Sequence, residues 1–151
     1  MTKASQTFVG FGPTLSNAED LLIKLKFDFG RIKSDPCDVY AAFDFCVTAE
    51  HLPEWCGQKS VKNTEPILRV VSHLANGAKH FIANDPKHKS VADVGLRNGI
   101  FNSAIFDPEM FNTGGIFVAL KGEDAVALGS EISSLELARQ VLTFWEQRLG
   151  G

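Results

Sequence analysis

Apolar residues recur at helical spacing in four segments of this chain, and this pattern predicts a fold built mainly from helices. The last segment has the clearest beginning, because Ser133 and Glu136 have the spacing of a capping box and Ile132 can pack against Leu137 as a hydrophobic staple. Its apolar residues share one helical face, and they are Leu135, Ala138, Val141, Leu142, Trp145 and Leu149. We predict a helix that ends at Gly150.

Two helices are predicted in the first third of the chain. The first begins at the capping box Ser16–Glu19 and weakens at Gly30, since glycine is a poor helix former. The second has Asp35 as its N-cap and Pro36 as its first residue. It is expected to end near Leu52, because the proline that follows disfavours helix in the residue before it.

The predicted third helix begins near Thr64, with Glu65–Pro66 in its first turn, and ends at Asn84–Pro86. Its apolar residues recur at helical spacing, and they are Ile67, Val70, Val71, Leu74, Ala78 and Phe81. We therefore expect Leu74 and Phe81 to be core residues.

Residues 87–125 differ in character, because glycines interrupt short apolar runs, of which Gly115–Leu120 is the best candidate strand. Phe101, Phe106 and Phe111 fall five residues apart. Three such units are too few for a pentapeptide solenoid, so we expect an ordered loop anchored by the three rings. The prediction is an α+β fold: a helical bundle of about four helices with a small Phe-rich β/loop segment at roughly 91–125, in a single domain, 1–151.

Composition limits the classes of function. The chain has 151 residues, of which 44% are apolar, and a net charge of −3, so it lacks the overall basic character of nucleic-acid binders. A local basic cluster at residues 79–89 keeps RNA open as a weakly supported partner. Three cysteines without a CxxC pair, no apolar run of membrane-spanning length and no signal-peptide pattern lead us to expect a cytoplasmic protein with no membrane contact.

The third helix carries a stripe of four polar residues: Arg69, His73, Asn76 and His80. At roughly 100° per residue, the other three lie within about 40° of Arg69, opposite the apolar face. One interpretation is a solvated helix face. The other is a functional or interface stripe, because Arg, His and Asn bind anions and transfer protons, whereas solvent faces favour Glu, Lys and Gln.

The second helix supplies candidate binding partners for this stripe. Asp44, Thr48 and His51 lie on one flank at spacings of four and three. Glu50 lies nearer the apolar side chains, where its carboxylate either is partly desolvated or reaches solvent at the helix end. The catalytic candidates are Arg69, His73 and His80 of the polar stripe. The binding candidates are Asn76 of the same stripe and Asp44, His51 and Glu50 of the second helix.

A homodimer is expected from a second apolar stripe on the same helix, together with the unusual polar stripe of the third helix. Ala41, Phe45 and Leu52 form a minor apolar stripe opposite its main apolar stripe. A helix that is apolar on two sides lies either in the centre of a bundle or at a subunit contact.

Motifs for other chemistries are not found. His73 and His80 lie two helical turns apart, too far to bind one ion from a straight helix, and no His-Glu-x-x-His pattern occurs. Nucleophile-elbow, Walker and dinucleotide-binding motifs do not occur either, and Cys46 and Cys56 are expected to be packing residues. We expect no metal and no cofactor.

Two segments carry a resemblance to a family of short uncharacterised bacterial proteins. They are Thr48–Trp55 (TAEHLPEW) and Ser72–Phe81 (SHLANGAKHF), and with the Phe repeat and the last helix the resemblance extends over most of the chain. The family implies no activity.

The chain also resembles HEPN domains, which are small helical bundles that often act as ribonucleases in toxin and antiphage systems. The resemblance implies an Arg and a His on one helix with four to six residues between them, completed across a dimer. Arg69 and His73 have three residues between them, and the β segment at 91–125 is additional. The favoured hypothesis is thus an interaction or regulatory module that uses the polar stripe and the Phe segment. The alternative is an HEPN-like ribonuclease in which Arg69 holds a phosphate and His73 or His80 is the acid or base.

Overall fold

The computed structural model describes residues 8–82, 85–97 and 114–150, and in these residues it confirms the predicted α+β class. Five α-helices and one three-stranded antiparallel sheet follow one another along the described chain. In order they are α1 (Ala18–Ser34), α2 (Val39–Trp55), a 3-10 helix (Lys59–Asn63), α3 (Pro66–His80), β1 (Val91–Arg97), β2 (Gly115–Leu120), α4 (Gly122–Leu128), β3 (Glu131–Ser133) and α5 (Ser134–Leu149). None of the described helices is long and apolar enough to cross a membrane.

Helix α1 begins one residue later than predicted and extends four residues beyond Gly30. Asn17 is the N-cap, and its side chain accepts a hydrogen bond from the Asp20 N–H at 2.8 Å, while Asp20 accepts one from the Ser16 N–H at 3.0 Å. The helix continues through Gly30 because the next turn buries Ile32 completely. Burying that side chain contributes about 2 kcal/mol, which exceeds the cost of about 1 kcal/mol for a helical glycine.

Both predicted ends of α2 were wrong. Its N-cap is Asp38, whose carboxylate accepts a hydrogen bond from the Ala41 N–H at 3.1 Å, so Asp35 and Pro36 belong to the preceding turn. At the other end Pro53 lies inside the helix, which ends at Trp55. Leu52 stays helical before this proline because tertiary packing buries it completely.

Helix α3 begins at Pro66, two residues after the predicted start near Thr64, and it ends at His80, before Phe81 and before the predicted end at Asn84–Pro86. The Ile82 N–H donates to the His80 carbonyl at 2.7 Å, and Phe81 has φ +65 and ψ −50, which is a γ-turn. Phe81 is 93% exposed, so its prediction as a core residue was wrong: the chain turns away one residue before the apolar face would include it. Leu74 is partly buried and packs against the core.

The central strand of the sheet is β2, which was the predicted strand. Val118 pairs with Val94 of β1 on one side and with Ile132 of β3 on the other. The inner face of β2 packs against α5, where the Ser133 hydroxyl accepts the Glu136 N–H at 3.0 Å and confirms the predicted cap. The Phe repeat lies outside the described residues.

Buried side chains from α1, α2, α3, β2, β3 and α5 form one apolar cluster. Its largest members include Trp145, Phe45 and Leu25, none of which exposes more than a trace of its surface. The cluster fixes α2 and α3 side by side, and four of the candidate functional residues line a cleft along this pair.

Candidate functional site

A cleft of about 660 Å³ lies along α2, α3 and the residues that follow α3. Four of the predicted polar site residues line it, namely Glu50, His51, Asn76 and His80. The other lining residues are Phe43, Val47, Glu54, Ser72, Ala75, Ala78, Lys79, Asp85, Lys87 and His88. We call this the α2–α3 cleft.

A second cleft, of about 580 Å³, shares Glu50, Ser72, Lys87 and His88 with the first. It continues toward α4, and its other lining residues are Lys62, Asn63, Arg69, Lys89, Ser90, Gly122, Glu123 and Asp124. We call it the α3–α4 cleft. The shared residues make the two clefts neighbouring parts of one concave surface.

The Glu50 carboxylate is fixed where the two clefts meet. Lys62 Nζ lies 2.8 Å from its Oε1, and the Ser72 hydroxyl donates to its Oε2 at 2.7 Å. Of the two sequence interpretations, partial burial is therefore correct. A carboxylate held by two donors has lone pairs left with which it can accept further hydrogen bonds from a ligand.

Arg69 lies in the α3–α4 cleft, where it is held by Asp124 of α4. Its Nε and Nη2 atoms donate to Asp124 Oδ1 at 3.0 and 2.6 Å, and its Nη1 donates to the Asn63 carbonyl at 2.8 Å. The Ser90 hydroxyl donates to the same carboxylate. Burial raises the pKa of Asp124, but the hydrogen bonds from Arg69 and Ser90 outweigh burial and lower the pKa below its ordinary value. Arg69 thus connects α3 to α4 and to the 3-10 helix.

His73 is buried, with 6% of its surface exposed. Its Nδ1 accepts a hydrogen bond from the Val91 N–H at 2.9 Å, and its ring stacks on His88 with the centroids 5.6 Å apart. His73 therefore acts as a hydrogen-bond acceptor at Nδ1. This contact joins α3 to the beginning of β1.

The predicted polar stripe therefore divides into two halves. Arg69 and His73 contact α4 and β1, whereas Asn76 and His80 line the open α2–α3 cleft. The solvated-face interpretation fits the exposed His80, and it does not fit the buried His73.

Asp44 lies away from both clefts, on the side of α2 that faces α1. Its Oδ2 accepts a hydrogen bond from Arg31 Nη1 at 2.6 Å. Thr48, one turn later, donates to the buried Asp28 of α1 at 2.9 Å. Of the flank predicted from the sequence, only His51 lines the cleft.

His88 is a cleft residue that the sequence did not single out. It is half-buried, and burial lowers its pKa, partly offset by the nearby negative charge of Asp85. The sequence signal for it was the basic cluster at residues 79–89, which contains it. Ser72 and Lys62, which hold Glu50, had no sequence signal.

The charges in the two clefts balance. Among the described lining residues, five are basic and five are acidic: Lys62, Arg69, Lys79, Lys87 and Lys89 against Glu50, Glu54, Asp85, Glu123 and Asp124. The lowered pKa of His88 keeps that ring neutral near pH 7. This surface therefore lacks the excess of positive charge with which proteins bind nucleic-acid phosphates.

The described residues contain no metal centre, and the thiol of Cys46 is not a reactive nucleophile. No group of three or more His, Cys, Asp or Glu side chains that could hold an ion occurs in residues 8–82, 85–97 and 114–150. Burial raises the pKa of the Cys46 thiol to about 12, with a contribution from the charge of Glu50, so this thiol stays protonated and unreactive.

Comparison of the chain with protein-family models, with curated proteins and with solved structures finds no match.

Proposed function

We propose that the protein is an interaction or regulatory module whose α2–α3 cleft binds a segment of another protein. The observation that carries this proposal is the meeting of Glu50, His51, Asn76 and His80 in one cleft beside Phe43. These side chains offer hydrogen-bond donors and acceptors together with an apolar anchor, which is the combination found at protein interfaces.

Exposed apolar side chains at the cleft support a protein partner. Phe43 is 51% exposed, and Val47 lines the cleft one turn later. Phe81 and Ile82 follow His80 and are both exposed. Large apolar side chains grouped on a surface beside polar ones are typical of binding sites.

The backbone strain at Phe81 points in the same direction. A non-glycine residue in a γ-turn with positive φ costs about 1–3 kcal/mol, and such strain is concentrated at functional sites. Here it holds an aromatic ring in solvent, next to a residue that lines the cleft. A ring that gains contacts only when a partner binds would account for that geometry.

The balance of charge favours a protein segment over RNA. Five basic and five acidic residues line the two clefts. A mixed surface of this kind complements a partner that itself carries both signs of charge, and it attracts a polyanion weakly.

The HEPN-like ribonuclease remains the second candidate. It would require Arg69 to exchange Asp124 for a phosphate, and His73 to become accessible, although it is buried against Val91. His80 is the one exposed member of its predicted catalytic set. We therefore rank this activity below the binding module and include it as an outcome of the test.

The homodimer is also a proposal, on a changed basis. Ala41, Phe45 and Leu52, from which it was expected, lie in the core of the chain itself. The exposed apolar side chains of α1 and α2 now support it, among them Phe27 and Tyr40, of which Tyr40 is 77% exposed.

Three free cysteines support the proposed cytoplasmic location.

The test compares two exposed lysines. Lys79 lines the α2–α3 cleft, and Lys26 on α1 lines neither cleft. Partners are enriched from the source cells with the wild type, K79E, N76R and the control K26E, and each candidate is purified and titrated by calorimetry. We expect a partner whose affinity falls by at least about tenfold with K79E and with N76R but stays within about twofold with K26E.

Two results would contradict the proposal. One is that K79E and K26E bind every purified candidate equally. The other is that the wild type, freed of contaminating ribonucleases, cuts RNA while H80A does not, which would establish the nuclease instead. Melting temperatures within about 2 °C of the wild type show that the variants are folded.

A further inference from the structure

Strand β1 forms one edge of the sheet, and its backbone presents hydrogen-bonding groups to that edge. The Leu120 N–H donates to the Ser130 carbonyl at 2.8 Å, toward β3, and alternate residues of a strand point the same way, so Val118 also points to β3. Val118 is paired with Val94 on its other side, so the Val94 N–H and C=O point away from β2. By the same alternation, the backbone groups of Leu96 point outward.

The edge is open in the part of the chain that the structure describes. No described strand lies beside it, and the Val94 N–H donates only to the neighbouring Asp93 Oδ1, at 2.8 Å. Val94 is 46% exposed and Leu96 is 57% exposed. The irregularity in the pairing of β1 lies between Val91 and Asp93, so residues 93–97 are regular. An exposed, regular strand edge is a template for another strand, so the occupant that fits it is an extended chain.

The sequence of β1 is complementary to itself when the strand is reversed. Asp93 and Arg97 lie on one face of the strand, and Val94 and Leu96 lie on the other. When two copies of β1 run antiparallel with Gly95 opposite Gly95, each Asp93 faces Arg97 of the second copy. Each Val94 then faces Leu96 of the second copy. Opposite charges and apolar side chains at facing positions stabilise antiparallel strands, so the sequence identifies the occupant as β1 of a second copy.

The direction of the backbone groups fits the same register. Val94 and Leu96 both point outward, so the N–H of each can donate to the C=O of the other in a hydrogen-bonded pair. A shift by one residue places outward groups opposite inward ones, and a shift by two separates Asp93 from Arg97. The pairing requires Asp93 to release the Val94 N–H, which frees its carboxylate for Arg97 of the second copy.

Gly95 is not explained by the fold of the single chain. Glycine weakens the interior of a strand, yet the φ angle of Gly95 is not in the left-handed region, and a Cβ there would meet no described atom within 4 Å. In the antiparallel register above, Gly95 lies on the two-fold axis, where facing Cα atoms approach to about 4.5 Å. Glycine within a strand often marks such a close approach of another backbone.

The start of α2 enlarges this contact surface. A strand edge alone is too small for a stable dimer, which buries about 800 Å² on each subunit. Cys37 Sγ lies 3.6 Å from the Arg97 carbonyl oxygen, so the start of α2 adjoins the end of β1. Val39 and Tyr40 at this start are both exposed, and they provide further apolar area beside the strand edge.

We propose that two copies of the chain pair through β1, antiparallel and centred at Gly95, so that their three-stranded sheets join into one sheet of six strands. The inference rests on the homodimer proposed above and names its contact surface. The strand edge determines the register, and the start of α2 adds apolar area.

Charge reversal tests the register. D93R places an arginine opposite Arg97 of the second copy, twice in each dimer. The control E146R makes the same change of charge on α5, outside the sheet. By analytical ultracentrifugation, we expect D93R to raise the dissociation constant of the dimer at least about tenfold and E146R to leave it within about twofold. Circular dichroism checks that both variants are folded.

A disulfide tests the two-fold axis and does not depend on charge. Cysteines that face each other in a non-hydrogen-bonded pair are close enough for a disulfide. In a background where Cys37 and Cys56 are replaced by Ser, we expect G95C to form a covalent dimer under mild oxidation. The control A92C, three residues from the axis on the same strand, should cross-link at least about tenfold more slowly, because the two copies of residue 92 lie about 20 Å apart.

Hydrogen exchange tests the wild type directly. The Leu96 N–H should exchange more slowly as the protein concentration rises, because it is hydrogen-bonded only in the dimer. The Gly95 N–H points to β2 and should be protected at every concentration.

The possible failures are distinguishable. A monomeric wild type at high concentration would overturn both the homodimer and this contact. A dimer whose affinity D93R leaves unchanged, or in which G95C cross-links no faster than A92C, would leave the homodimer standing and overturn its placement on β1. Slow exchange of the Leu96 N–H at all concentrations would show that the chain itself covers the edge. Exchange that slows only when another protein is added would assign the edge to a different partner, and either result would overturn the proposal.

Discussion

The contact of Arg69 with Asp124 is expected to stabilise the fold strongly, and D124N tests this with little change in volume. The Asp124 side chain is 4% exposed, and the Arg69 side chain is 26% exposed. Removing the negative charge leaves a partly buried guanidinium facing a neutral amide, and it deprives the Ser90 hydroxyl of its carboxylate acceptor.

The magnitude follows from burial. Removing one partner of a fully buried ion pair costs about 3–5 kcal/mol. Arg69 still reaches solvent and keeps the Asn63 carbonyl, so solvent screening reduces the cost. We therefore expect D124N to lower the free energy of unfolding by about 2–4 kcal/mol.

The matched control is E131Q. Glu131 also accepts two hydrogen bonds from an arginine, Arg97, but both side chains of that pair are largely exposed. Urea denaturation followed by tryptophan fluorescence suits this comparison because Trp145 is fully buried. A much smaller loss is expected for E131Q than for D124N. Equal losses would refute the argument that burial determines the contribution of these pairs.

The pH dependence of the D124N effect has a definite sign. The pKa of Asp124 in the folded protein lies below the value of 3.8 for an unperturbed group. The stabilisation by its charge is therefore complete well above pH 4 and is lost as the pH falls through the folded pKa. The difference between wild type and D124N should be constant between about pH 5 and 7 and should shrink below about pH 4. A difference that grows on acidification would contradict the assigned direction of the shift.

Three further predictions concern single sites. F81G should raise the free energy of unfolding by about 1 kcal/mol, because relief of γ-turn strain exceeds the entropic cost of glycine; a loss measured in urea would show that the ring packs. S134A should raise it by about 1 kcal/mol, because it removes a buried hydroxyl that has no partner in the described part of the chain and introduces a better helix former, whereas S130A should not; thermal unfolding compares the two. Light scattering should give the dimer mass for the wild type and the monomer mass when Phe27 or Tyr40 is replaced by Asp, and a monomeric wild type at high concentration would remove the homodimer proposal.

Sequence patterns predicted four of the five described α-helices and the central strand, because these depend on residues close in sequence, but they did not predict α4. The Ser133 cap was confirmed, since a cap needs only the next three residues. The ends of α1 and α2 could not be predicted in the same way. They depend on the burial of Ile32 and Leu52, which contact residues far away in the chain.

The partners of the polar stripe could not be predicted, for the same physical reason. Asp124 is 55 residues from Arg69, and the Val91 N–H is 18 residues from His73. Helical geometry placed the four stripe residues on one face correctly. It gave no information on which part of that face another element would cover.

Contacts of α4 and β1 with half of the polar stripe explain part of its unusual composition. They also indicate that a binding site lies in the other half. Arg69 and His73 are accounted for by their contacts with Asp124 and Val91, so neither requires a catalytic role. Within the residues that the structure describes, Asn76 and His80 have no such structural account, and they line the same cleft as the fixed carboxylate of Glu50. An unusual residue composition therefore indicates function most strongly where tertiary contacts leave it unexplained, and on α3 that is the last two turns.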